Sequence, residues 1–434
     1  MSGAALAGLW GFLATLGLIA LGVPVAVAMG VVGVVGYWWL QGWFSASYVL
    51  GTAPFEAIFP YSFSVIPLFV MMGVFAARAG LSRSLFDLIN GFFGHLRGGL
   101  AVSSVGASAM FGAICGSSLA TVATIGRVAM PEMRRYRYDD SLSAAAVAAG
   151  GTLGVLIPPS ILLVIYGLLT QTSIGQLFIA AIIPGLLGAL LYGLAIVLRV
   201  RLRPELAPPA ARTPWVERLR LFRGVWPVLA LFAAVIGGIY AGWFSPTEAA
   251  AVGATGAFLL ALASGRLDRA TLRDALRETA GLTGMIFFIL IGAALFNNFL
   301  EATGLPRQLV LWIEASPLTP TTVLILILVF YVILGCFMDS MSMILLTVPL
   351  LAPVALGLGI DMVWFGILVV TVAEVGLITP PVGMNLFVVQ ATVKDLKLAR
   401  VVRGIFPFIA ADLVRLVLLL AFPALALWLP ARMF

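Results

Sequence analysis

Apolar stretches of about 17 to 30 residues recur along the whole chain, separated mostly by short polar connections. A hydrocarbon core about 30 Å thick needs about 20 apolar residues per helix, so these stretches are long enough to cross a bilayer. In lipid no water satisfies the backbone N–H and C=O groups, which leaves helices and closed barrels as the only spanning structures. Ten-residue segments of alternating polarity, the pattern of a barrel, are absent. The chain is therefore expected to be an all-α polytopic membrane protein. Composition agrees: of 434 residues, 62% are hydrophobic and 10% charged, against roughly 25% charged in a soluble domain. Candidate crossings are 4–21, 23–40, 62–78, 141–170, 177–198, 225–243, 247–264, 280–300, 363–392 and 404–430. No small-residue cleavage site follows the first, so it reads as a retained helix.

The formal charge of +7 could suggest nucleic acid, but its distribution points elsewhere. All Lys and Arg except Arg307, Arg415 and Arg432 fall in five segments: 78–97, 127–137, 199–223, 266–277 and 394–403. These connect apolar stretches, and the positive-inside rule assigns them to the cytoplasm. They form no groove-sized basic surface, so nucleic acid is excluded as a partner. The lipid bilayer is the partner instead. Cys115 and Cys336 are the only cysteines, both in apolar surroundings, and read as small packing residues. His95 stands alone in a basic connection, which gives a metal centre no ligands.

Two apolar stretches do not fit as simple spans. Segment 98–127 is broken at Gly116, Ser117 and Ser118, and basic residues flank both of its ends. Segment 320–356 is broken at Asp339, Ser340 and Ser342, between flanks that hold Arg307 against Glu301, Glu314 and Asp361. Each is expected to enter and return as a re-entrant hairpin, one from each face. With that assignment all five basic segments fall on one side. The polar segment 199–223, with Pro204, Pro208, Pro209 and Pro214, divides the chain into halves 1–223 and 224–434. Residues 266–277 read as a short amphipathic helix on the cytoplasmic surface. Asp139 and Asp140 read as capping groups for the helix from 141, and Asp412 with Arg415, spaced i,i+3, as a mutually neutralising pair.

The halves match. Gly112 opens Gly-Ala-Ile-Cys-Gly-Ser-Ser, and Pro158-Pro159 follows 46 residues later, before Ser160. Gly335 opens Gly-Cys-Phe-Met-Asp-Ser-Met, and Pro380-Pro381 follows 45 residues later within Thr379–Gly383. Upstream, Ala79-Gly80-Leu81 corresponds to Thr303-Gly304-Leu305. Matched features with opposite membrane approach predict an inverted-topology repeat, with hairpins at about 98–127 and 320–356 and broken helices at about 141–170 and 363–392. A Pro-Pro pair removes two donors and forbids helical geometry before it. Backbone so freed must face protein or a wet cavity. There carbonyls and hydroxyls can hold a desolvated cation, and half-helix N-termini suit an anionic group. Asp339 lies where a charge costs about 2.5–3.5 kcal/mol or more, which favours a site role. Glu374, six residues before Pro380, is open to a structural pairing or to a place in the site. No P-loop and no convergent His, Cys or paired acids appear, so an enzyme is not expected.

At these residues the sequence resembles the large membrane subunit, M or DctM type, of the tripartite ATP-independent periplasmic (TRAP) transporters. The resemblance rests on Phe111-Gly112-Ala113-Ile114-Cys115-Gly116-Ser117-Ser118, Gly150-Gly151-Thr152-Leu153-Gly154, Pro158-Pro159-Ser160, Ser173-Ile174, Leu177-Phe178, Pro184-Gly185, Thr247-Glu248-Ala249-Ala250, and Gly376 through Gly383 with Asn385. It implies a multi-pass subunit of the bacterial cell inner membrane that imports an organic acid, such as a C4-dicarboxylate or sialic acid. Import would be coupled to a sodium gradient by an elevator-type motion, with sodium as the coupling ion and no other cofactor. It also implies a periplasmic substrate-binding protein (P type) and a small four-helix membrane subunit (Q type). With only three spans before the first hairpin, the small subunit is expected as a separate chain. By the same resemblance sodium ligands would come from Gly116, Ser117, Ser118, Pro158, Asp339, Ser340, Thr379, Pro380 and Gly383. The substrate cleft would draw on Ser117, Pro159, Ser160, Pro381 and Asn385. A self-sufficient sodium/carboxylate symporter without a binding protein is the alternative.

Overall fold

The computed structural model describes residues 3–433, and among them helices follow one another without a strand. The first half contains α1 (Gly3–Ala20), α2 (Val25–Ile58), α3 (Val65–Arg78), α4 (Leu81–Phe93), α5 (Gly99–Cys115), α6 (Ser118–Arg135), α7 (Asp140–Leu156), α8 (Ile161–Thr170) and α9 (Ile174–Leu202). The second contains α10 (Trp215–Tyr240), α11 (Pro246–Ala263), α12 (Arg269–Thr303), α13 (Leu305–Glu314), α14 (Pro320–Gly335), α15 (Ser340–Gly357), α16 (Met362–Gly376), α17 (Met384–Thr392) and α18 (Leu398–Ala421), then the short α19 (Ala424–Leu427) and α20 (Pro430–Met433). Among the described residues nine helices are long and apolar enough to cross a membrane, or ten when α7 and α8 count as one bent span.

Local chemistry sets where the helices begin. Ser117, Ser160, Ser173, Ser245, Asp268, Thr319, Asp339 and Asp361 each accept a hydrogen bond from the backbone N–H three residues on. Such caps satisfy donors that the first turn leaves unpaired. Asp139 caps α7 as expected, through the Ser141 N–H at 2.8 Å. Asp140 takes a different role, gripping the Arg134 guanidinium at 2.8 and 3.0 Å.

The two expected hairpins are α5–α6 and α14–α15, each pair packed together across a short turn. The two broken helices are α7–α8, bent by 42° at residues 157–160, and α16–α17, interrupted at residues 377–383. Both Pro-Pro bonds are cis. Their surroundings match in detail. Gly112 of the first hairpin lies directly against Gly154 of α7, and Gly335 of the second lies against Gly376 of α16. Gly80 and Gly304 both hold left-handed backbone, φ 79° and 67°, at the corner between a longer helix and a short one.

Buried apolar side chains gather in two clusters, each drawing on both halves of the chain. One contains α5, α6, most of α7, α17 and much of α18; the other contains α8, α14, α15 and α16 together with α3, α11 and α12. The first broken helix therefore runs from one cluster to the other, and the second runs back.

Several boundaries depart from the sequence reading, among them the start of α10 at Trp215, ten residues before the expected 225. Helix α2 continues 18 residues past the expected end at 40, through a kink at Gly42 (φ 81°) that leaves Trp39, Trp43 and Phe44 exposed. Aromatic side chains of this kind suit the headgroup region. Residues 266–277 do not form a separate surface helix; from Arg269 on they are the first turns of the continuous α12. The first hairpin extends to Arg135 rather than 127. The last crossing ends at Ala421, and two short helices take up the rest of 404–430.

Candidate functional site

The break residues of both hairpins meet at one cavity of about 330 Å³. Gly116, Ser117, Ser118, Leu119 and Ala120 line it from the first hairpin, and Asp339, Ser340 and Met341 from the second. Glu374, Leu377 and Met384 contribute from the second broken helix; Val155, Ile161 and Leu162 from the first. The opposite wall belongs to α3 (Val70, Gly73, Val74, Ala77) and α12 (Glu278, Leu282, Met285, Ile286). That wall is apolar except at Glu278, which pairs with Arg78 at 2.6 Å where both are partly exposed.

The tips are shaped by backbone requirements. Gly116 ends α5 in left-handed geometry (φ 65°, ψ 12°), and its N–H donates to Gly112 O at 2.7 Å. A Cβ there would meet Ile161 at 3.0 Å, so only glycine lets the tip lie against the second leg of the broken helix. Ser117 is extended (φ −133°, ψ 121°) and caps α6 through Ala120 N. Asp339 is extended (φ −71°, ψ 153°) and caps α15, its Oδ2 accepting from Ser342 N at 3.0 Å. The first turns of α6 and α15 thus both face the cavity. Each brings the positive end of a helix dipole, which at α15 is already met in part by the Asp339 carboxylate, and such ends favour an anion.

Polar side chains behind the tips bind the elements together. Ser340 donates to Glu374 Oε1 at 2.8 Å. Glu374 is 1% exposed, and its Oε2 has no partner. The Asn385 amide donates to Ser118 Oγ at 2.9 Å and to Ala148 O at 3.1 Å, tying α17 to the first hairpin and to α7. Deeper in the same bundle Asp412 and Arg415 pair at 2.7 Å, both 1% exposed. Tyr192 donates to Asp412 at 2.6 Å and lies 3.1 Å from Thr152.

Of the residues singled out in the sequence, Gly116, Ser117, Ser118, Asp339 and Ser340 line the cavity. The others occupy the breaks beside it. Pro158, Pro159 and Ser160 are buried; Pro159 faces a small apolar gap beside Met72 and Ile114. In the second break Thr379 Oγ1 donates to Val375 O at 2.7 Å, and Gly383 N to Cys336 O at 3.3 Å. The Pro380 carbonyl receives the Cys336 thiol at 3.8 Å, and Pro381 is exposed. Asn385 lies wholly buried behind the first hairpin tip. The α3 and α12 wall was not anticipated, because nothing in those spans differs from ordinary membrane helix. Glu374 carried a visible signal, a lone carboxylate in an apolar run.

Comparison with known proteins bears on the whole of this arrangement. Residues 12–425 match the profile of the tripartite ATP-independent periplasmic transporter, DctM component. The chain is 40% identical over 379 residues to the C4-dicarboxylate TRAP transporter large permease protein DctM of Pseudomonas aeruginosa, covering 87% of this chain and 88% of that one. It is 32% identical to the sialic acid TRAP transporter large permease protein SiaM of Vibrio cholerae, over 89% of each chain. Among solved structures, the YdaH transporter of Alcanivorax borkumensis superposes with a TM-score of 0.66 at 16% identity, over 99% of this chain and 100% of that one, a likeness of fold alone. With a family match that takes in both hairpins, both breaks and the helices walling the cavity, the chain belongs to the DctM family, the large permeases of TRAP transporters, and is a multi-pass protein of the inner membrane.

Proposed function

We propose that this permease imports an organic acid, a C4-dicarboxylate, sialic acid or similar carboxylate, in symport with sodium. The observation that carries the reading is the meeting of the α6 and α15 N-terminal turns at one cavity. Two convergent helix N-termini complement a carboxylate, and small hydroxyl and main-chain oxygens beside them suit a monovalent cation. Sodium is assigned to oxygens of Gly116, Ser117, Ser118 and Pro158 in one half and of Asp339, Ser340, Thr379, Pro380 and Gly383 in the other. The cargo is assigned to the space between, against Ser117, with Pro159, Ser160, Pro381 and Asn385 shaping the cleft from the breaks beside the cavity.

The hairpins are read as approaching from opposite membrane faces in an inverted repeat. Two things support this: the equivalent Gly112–Gly154 and Gly335–Gly376 contacts, and the opposite order in which the broken helices traverse the two apolar clusters. An elevator motion follows if the hairpins and broken helices slide as one body along α3 and α12. The partners are a separate small four-helix membrane subunit and a periplasmic binding protein that delivers the substrate. Reconstitution with both, measuring organic-acid uptake with and without an inward sodium gradient, tests the reading. Uptake that requires the gradient and the binding protein is expected. Uptake independent of the binding protein would establish the self-sufficient symporter, and uptake indifferent to sodium would remove the coupling ion.

A further inference from the structure

Glu374 is incompletely answered by its surroundings. It lies two residues before the end of α16, borders the cavity, and holds Ser340 with one oxygen while the other is buried and unpartnered. The Ser118 hydroxyl of α6 lies within reach of hydrogen bonding to it, though no bond closes with Oε2, and Arg415 and Asp412 face it from α18. Those two close on each other at 2.7 Å and together bring little net charge. The other carboxylates on the cavity are answered, Glu278 by Arg78 and Asp339 by the Ser342 N–H. A second buried oxygen beside Ser118 also lacks a partner: Asn385 Oδ1, whose amide is oriented by Nδ2 donating to Ser118 Oγ and Ala148 O.

From these contacts we infer that Glu374 is a cation ligand, seating a monovalent ion between its free Oε2 and the hydroxyl oxygens of Ser118 and Ser340. The inference rests on the sodium-coupled reading and extends it to a carboxylate site not among the ligands assigned above. One carboxylate with neutral oxygens balances a single positive charge, whereas divalent ions gather more acidic ligands. A serine hydroxyl can donate to a carboxylate and still offer a lone pair to a cation, so the Ser340–Glu374 hydrogen bond is compatible with occupancy. The ion would bridge the first hairpin, the second hairpin and the second broken helix, and loading it would lock both tips around the cargo cavity.

The test uses the purified full chain in detergent, following thermal stabilisation against sodium chloride with choline chloride as the control. A ligand at free concentration L that binds only the folded state stabilises it by RT ln(1 + L/Kd), so the dependence of the shift on sodium concentration gives Kd. Glu374→Gln keeps the shape and removes the charge; the Kd for sodium should rise at least tenfold. Glu374→Asp, which keeps the charge but withdraws it by one methylene, should raise it at least threefold and provides the reading if Glu374→Gln does not fold. A sodium response unchanged in either folded variant overturns the site. So does a Glu374→Gln protein that keeps its sodium response and loses only a pH dependence, which would make the carboxyl a proton carrier. If the wild-type chain shows no sodium response, the symport reading falls and this inference with it; a wild-type response that survives Glu374→Gln overturns this inference alone.

Discussion

Gly335→Ala tests the glycine packing that seats the second hairpin against α16. A Cβ at Gly335 would lie 2.9 Å from Gly376 Cα and 3.2 Å from Ala373 O. Non-bonded carbons rest at about 3.5–4.0 Å, so the first contact is short by about 0.6 Å or more. Both obstructing atoms are backbone, and neither can rotate aside as a side chain would. Overpacking of this kind costs about 1–3 kcal/mol, partly offset because alanine favours helix over glycine by about 0.5–1 kcal/mol. The net expectation is a loss of about 1–2 kcal/mol. Gly17→Ala, in α1 with nothing within 4 Å of its Cβ, isolates the propensity term and should be neutral or slightly stabilising. Unfolding of both variants in mixed micelles gives the comparison. Because the displaced hairpin carries Asp339 and Ser340 at its tip, uptake by Gly335→Ala should fall more than stability alone accounts for. Equal stability and equal uptake in the two variants would refute the claim that this glycine contact positions the tip.

Two further predictions follow from the polar groups. Arg415→Leu leaves Asp412 as an uncompensated buried charge and should destabilise the chain by about 3–5 kcal/mol, whereas Arg415→Leu with Asp412→Leu should recover most of that loss; mixed-micelle unfolding checks it, and a single variant as stable as the double would refute it. Asp339→Asn preserves the cap, since asparagine caps helices as well as aspartate, but removes the charge. The protein should still insert while the half-saturating sodium for uptake rises about tenfold, equivalent to about 1.4 kcal/mol, and an unchanged sodium dependence would remove Asp339 from the ion site.

The hairpins and broken helices were legible because their chemistry is conspicuous against apolar sequence. Gly116-Ser117-Ser118, Asp339-Ser340 and two Pro-Pro pairs cannot continue a helix in lipid without a partner, and the turns fall at or beside them. The Gly80–Gly304 correspondence likewise appears as two left-handed corners. What failed was length. Gln41, Gly42 and Pro54 interrupt the apolar pattern of α2, yet the helix runs on past them with a kink at Gly42. The polar start of α12 reads as a surface helix, but no proline separates Arg269 from the membrane portion, and Gly281 and Gly284 do not interrupt the helix. Contacts across long sequence separations left no trace in composition. The Asn385–Ser118 bond joins residues 267 positions apart, and apart from Glu278 the α3 and α12 wall consists of side chains usual in any span. Nothing in the sequence around Asn385 announces that its buried amide also ties α17 to the first hairpin and to α7.

The interleaving of the two apolar clusters also constrains how the chain matures. While residues 99–156 are being inserted, α17 and α18, which complete their packing, have not yet been synthesised. The first hairpin must wait in the bilayer with Ser118 unmatched until Asn385 arrives from the far end of the chain. Assembly of the transport core is consequently a late, post-insertion event. A chain cut short before Met384 should place its spans correctly and yet never close its interior.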